Sequence, residues 1–116
     1  MTPAAWNPTE GPARQGDVTL VLVPDMTGAA FAAKQPERLT LARGSASDHG
    51  HYIDAVEVRP AQGDQPRRIY VPADAVLRVE PGSSAWRHPA IAVPAGVYDV
   101  LGAVEYTPTA FVPVGD

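Results

Sequence analysis

Asp17-Val18-Thr19-Leu20-Val21-Leu22-Val23 is dense in β-branched residues, too short for a free-standing helix, and closed by Pro24-Asp25. Such a run reads as a β-strand, and its neighbours follow the same pattern. Arg38-Leu39-Thr40-Leu41-Ala42-Arg43 alternates polar with apolar and ends at Gly44, where Ser45 and Ser47 mark a loop. Residues 51–59 alternate again: His51, Ile53, Ala55 and Glu57 fall on one strand face, Tyr52, Asp54, Val56 and Val58 on the other. A turn over residues 60–66 has Gly63-Asp64 at its tip.

Farther along, Arg68-Ile69-Tyr70-Val71 and Val76-Leu77-Arg78-Val79 read as two more strands, with a single helical turn expected at Pro72-Ala73-Asp74-Ala75 between them. Residues 90–93 and 97–106 are the closing strands, joined by the tight turn Pro94-Ala95-Gly96. The alanine-rich residues 26–34 leave one or two helical turns and an irregular crossing equally open. Seven to eight short strands with turn residues between them predict an all-β fold, a small barrel or a sandwich.

Upstream of the first strand, residues 1–16 carry Pro3, Pro8 and Pro12 among small and polar residues without any period. They read as an extended N-terminal arm, leaving 17–116 as a single β domain. Trp6 in that arm either packs back on its own domain or anchors a second copy, which makes a homo-oligomer joined through the arm the expected partner.

Composition narrows the function classes. At 116 residues and 45% hydrophobic, the chain supplies one core and has little apolar surface to spare for a deep cavity. Thirteen prolines and ten glycines disfavour long helices. The absence of cysteine excludes disulfides, thiolate metal ligands and cysteine nucleophiles, and points to a cytoplasmic setting, or to a phage particle if the role is structural. A net charge of −4 gives no general attraction for phosphate backbones, so no nucleic-acid partner is expected, and Arg67-Arg68 reads as a solvated hairpin edge. No signal peptide or run of about 20 apolar residues is seen, so no membrane association is expected. There is no Gly-x-Ser-x-Gly elbow, no phosphate-binding glycine loop and no evident carboxylate pair.

What remains is a histidine set. His49 and His51 are two apart at a strand entrance, so their rings share a face with Cβ atoms about 7 Å apart, close enough to converge on one ion. A divalent transition metal needs a third donor, and His88, in a His88-Pro89 step before a closing strand, is the one further histidine. Asp48, Asp54 or Glu57 would add an oxygen, with Glu57 on the strand face of His51. The bland alternative is that the three rings are hydrogen-bonded structural residues.

Gln15-Gly16-Asp17-Val18, His49-Gly50-His51, the stretch from His88-Pro89 through Pro94-Ala95-Gly96-Val97-Tyr98, and Glu105-Tyr106 together resemble a family of small uncharacterised bacterial and phage proteins. The likeness implies a single domain with a shared histidine arrangement and no particular reaction. Asp48 and Val104 stand where that pattern has a glycine and a basic residue. A weaker likeness links Gly44, His49, His51 and Glu57, with the Pro94-Ala95-Gly96 turn, to the metal-binding motifs of cupins. In cupins, however, the last histidine follows that turn, whereas His88 precedes it, so this likeness is one of build.

The expected function is therefore a small β binding or accessory module with a three-histidine metal site. The alternatives are a cupin-like metalloenzyme, in which Glu57 completes the shell or moves a proton, and a structural or decoration protein without a site.

Overall fold

The computed structural model describes residues 2–43, 50–80 and 89–102. They form eight strands and one short 3-10 turn: β1 (Ala13–Gln15), β2 (Val18–Leu22), the turn Gly28–Phe31, β3 (Glu37–Arg43), β4 (Gly50–Arg59), β5 (Arg67–Val71), β6 (Ala75–Glu80), β7 (Ile91–Val93) and β8 (Gly96–Gly102). The all-β expectation holds, and the sheet curls into a nearly closed, barrel-like cylinder with strand order β1-β2-β8-β5-β4-β6-β7 and β3 paired to β4. The helical turn expected at residues 72–75 is a bend leading into β6. Residues 103–106 of the last predicted strand lie outside the described residues.

Every ladder is antiparallel, and β4 is the hub. Its first half is held by β3, from Arg43 opposite Gly50 to Glu37 opposite Ala55, and by β6, with His51 opposite Val79. Its second half turns to β5, with Val56 opposite Tyr70. Register shifts at Leu41 in β3 and Val58 in β4 bend these strands, as extra residues in a ladder do, and so help wrap the sheet around its core.

The core follows the period of two. Val18 and Leu20, Ile53 and Ala55, Ile69 and Val71, and Tyr98 and Val100 are alternate residues of four strands, joined inside by Leu39, Leu77 and Val93. The face predicted for β4 is correct over residues 51–55: His51, Ile53 and Ala55 are fully buried while Asp54 is exposed. Tyr52, on the outer face, is nevertheless buried, because its ring folds back over Gly50 and the Arg38 guanidinium lies 4.0 Å above it.

The path has two ends, β1 and β7, and among the described residues no ladder joins them. The N-terminal arm straps across the β7 end. Ala4 forms a parallel bridge with Ile91, its N–H donating to the Ala90 carbonyl at 2.8 Å and its own carbonyl accepting from the Ala92 N–H at 2.9 Å. Trp6 packs on the core residue Tyr98 with ring centroids 5.5 Å apart, and its indole N–H donates to the Gly11 carbonyl. The last three residues of the segment read as an arm, before Gly16, are strand β1 itself.

Candidate functional site

Among the described residues the buried polar side chains are Gln15, Thr19 and His51. His51 from β4 and Gln15 from β1 are 0% and 2% exposed. A polar side chain removed from water this completely needs partners inside the protein, and the two find each other: His51 Nδ1 lies 2.9 Å from Gln15 Oε1. The Gln15 amide nitrogen donates to two backbone carbonyls, Leu77 in β6 at 3.0 Å and Pro89 ahead of β7 at 2.9 Å. One amide thus ties together β1, β4, β6 and the approach to β7, bridging the gap between the two ends of the sheet.

The local sequence explains how Gln15 reaches this place. Gln15 pairs with Val18, so Gly16-Asp17 is a two-residue hairpin loop, and Gly16 takes the left-handed conformation (φ 57°) that such a loop needs at its first position. That turn folds β1 onto β2 and sets Gln15 at the end of its strand. The Gln-Gly-Asp stretch is therefore a buried amide followed by the turn that places it. Sequence reading noted the motif without assigning Gln15 a role; the signal available was a long polar side chain immediately before a hairpin glycine.

Of the predicted metal ligands, His51 is at this centre, while His49 and His88 lie outside the described residues, as does Asp48. Glu57 does not share the site. It is six residues further along β4, about 20 Å at the rise of an extended strand, and face parity cannot shorten that distance. Its carboxylate instead receives Arg67, with Nε at 2.9 and 3.1 Å from the two oxygens and Nη2 at 2.7 Å, while Nη1 of the same arginine donates to the Thr40 carbonyl at 2.7 Å. Asp54 is exposed and lies 3.7 Å from Arg78. Among the described residues no group of three histidines, aspartates or glutamates is gathered as for a metal.

Several other charges are engaged in ion pairs on the outside. Arg68 donates to both oxygens of Asp99, at 2.7 and 3.2 Å, which raises its pKa further; with Arg67 on Glu57, the adjacent arginines are separately paired. Glu80 receives Arg78 at 2.7 Å and Arg38 at 3.1 Å, and the hydrogen bond from Arg78 holds its carboxyl below the usual range. Tyr98 is pushed up to about 12, first by burial and then by the charge of Asp74, and its hydroxyl donates to the Pro94 carbonyl at 2.8 Å.

Concavities are shallow. A depression of about 350 Å³ separates the proline-rich arm at Pro8 and Pro12 from β2, and another of about 240 Å³ opens at the seam, lined by Ala4, Arg14, Gln15, Gly16, Pro89 and Ile91. The second is the described opening nearest the Gln15–His51 pair. Among the described residues no helix is long and apolar enough to cross a membrane.

No curated protein and no solved structure matches this chain. A family model does, over residues 14–102, a span that begins one residue before Gln15 and ends with β8, so it takes in the sheet except Ala13 of β1, the Gln15–His51 pair and all three histidines. The chain belongs to that family, a domain of unknown function designated DUF8820.

Proposed function

We propose that this domain is a small binding or accessory module whose working centre is a divalent transition-metal site formed by His49, His51 and His88. The observation that supports it is the Gln15 amide, which holds the His51 ring with its oxygen and the Pro89 carbonyl with its nitrogen. His88 is the residue before Pro89, and His49 is two residues before His51 at the start of β4. Three imidazoles separated in sequence are thus each within two residues of one buried polar centre. Imidazole nitrogens suit zinc, iron, nickel or manganese at bond lengths near ~2 Å, with a water or Asp48 available for a fourth position. Glu57 is left out of this set because Arg67 already occupies its carboxylate. A chain without cysteine fits the reducing cytoplasm, where such a module would work.

Elemental analysis tests the reading. Purified protein incubated with zinc, nickel, manganese or ferrous iron and then desalted is expected to hold one equivalent of metal. His49→Ala and His88→Ala are each expected to lose it with little change in thermal midpoint. Protein that retains no metal, or variants that both keep it, would overturn the proposal.

A further inference from the structure

We infer that Gln15 is a positioning residue: it holds His51 in the tautomer protonated at Nδ1, so that His51 offers the lone pair of Nε2 to the metal. The tautomer half of this rests on geometry alone; the metal half rests on the reading of His51 as a ligand.

The orientation of the Gln15 amide is fixed by what surrounds it. One of its two terminal atoms lies 3.0 Å from the Leu77 oxygen and 2.9 Å from the Pro89 oxygen. Carbonyl oxygens only accept, so that atom must be the nitrogen, and both of its hydrogens are used. The opposite orientation would set the amide oxygen against two carbonyl oxygens with no hydrogen between them, on a side chain only 2% exposed. The atom 2.9 Å from His51 is therefore the amide oxygen, which only accepts in turn, and Nδ1 must carry the proton. A neutral imidazole has one N–H, so its lone pair is on Nε2.

This is the arrangement in which a histidine coordinates a metal while its second nitrogen is held by an outer oxygen. An amide suits the position better than a carboxylate. Glutamate at position 15 would still accept from Nδ1, but it would offer nothing to the two carbonyls and would add a negative charge to the buried centre. With glutamine, the oxygen orients the ring and the nitrogen closes the seam. The resulting donor is a neutral nitrogen, which favours the borderline first-row cations over calcium or magnesium.

The experiment is a long-range proton–nitrogen correlation of the imidazole rings in ¹⁵N-labelled, metal-free protein, with His51 assigned by elimination from the spectra of His49→Ala and His88→Ala. Native His51 is expected to show a protonated Nδ1 and an unprotonated Nε2. Gln15→Met removes the acceptor and should shift the ring toward the Nε2–H form. Gln15→Glu should restore Nδ1–H despite a lower thermal midpoint, a rescue that packing alone would not give. A native His51 protonated at Nε2 alone, or a tautomer unchanged in Gln15→Met, overturns the positioning role, and the first of these needs no variant to fold. Adding zinc to the native protein should then move the Nε2 resonance and leave Nδ1 protonated. A correct tautomer with no zinc response would refute the metal site while sustaining the role of Gln15, whereas zinc binding at Nδ1 would refute that role.

Discussion

Replacing Gly50 with alanine places a methyl group against the Tyr52 ring. An ideal Cβ at position 50 would sit 2.6 Å from the Tyr52 hydroxyl oxygen, 2.8 Å from Cζ and 2.9 Å from Cε2, all closer than carbon tolerates. The backbone has little freedom to yield, since Gly50 is paired with Arg43 on one side and Glu80 on the other. The ring must move instead, and it is 7% exposed beneath the Arg38 guanidinium. Losing that cation–π contact costs about 0.5–1 kcal/mol. Uncovering about 50 Å² of a ring that buries ~150–200 Å² costs a further ~1.2 kcal/mol at ~25 cal/mol per Å². Alanine returns about 0.4–1 kcal/mol by restricting the unfolded chain. The net loss is about 0.7–1.8 kcal/mol, or a fall in melting temperature of roughly 3–10 °C for a chain of this length.

Urea denaturation of Gly50→Ala, Tyr52→Ala and the double variant reads this directly. In the Tyr52→Ala background the ring is gone, and Gly50→Ala should be neutral or slightly stabilising, giving a coupling energy close to the full penalty. A Gly50→Ala protein within about 0.3 kcal/mol of the native one, or an equal penalty in both backgrounds, would refute the steric account. The outcome bears on the site because Gly50 is the middle residue of His49-Gly50-His51. The glycine would then be there to receive the ring of Tyr52, whatever the histidines do.

Two further predictions concern the outer charges and the buried phenol. Tyr98 has its pKa raised to about 12 from 10, so the stabilisation tied to its neutral form is complete below pH ~10 and disappears as pH rises through ~12. Absorbance titration should show one tyrosine ionising late and together with unfolding, and Tyr98→Phe should abolish that component; a phenol that titrates with the others would contradict its burial. Arg67→Met should cost about 0.5–1 kcal/mol in low salt and less at 1 M salt, because the Glu57 pair is partly exposed; a salt-independent loss would assign the effect to the Thr40 carbonyl contact.

The strands were readable wherever β-branched residues and alternation coincide. Residues 17–23, 38–43 and 51–59 match β2, β3 and β4 within a residue at each end. β1 was hidden because Ala13-Arg14-Gln15 has no β-branched residue and becomes a strand only through its pairing with β2. The order of strands was also hidden, since β5 lies beside β8, and β4 divides its edges among three partners, through contacts that no local pattern encodes. At the site, His51 was legible as the one histidine inside a strong alternation. Glu57 had the right parity, but parity says nothing of distance along the strand, and the nearby Arg67 claims its carboxylate. Gln15 meets His51 across 36 positions of sequence, which only the folded sheet brings together.

The polar centre is knit from residues 15, 51, 77 and 89, so no fragment that falls short of that span contains it. During synthesis the hairpin of β1 and β2 emerges before its partners, and Gln15 lacks its full set of hydrogen bonds until the segment around Pro89 has left the ribosome. The complete centre is therefore a property of the assembled sheet and not of any one hairpin. A chain ending before Pro89 would leave the Gln15 amide with one of its two carbonyls missing and the seam beside it untied.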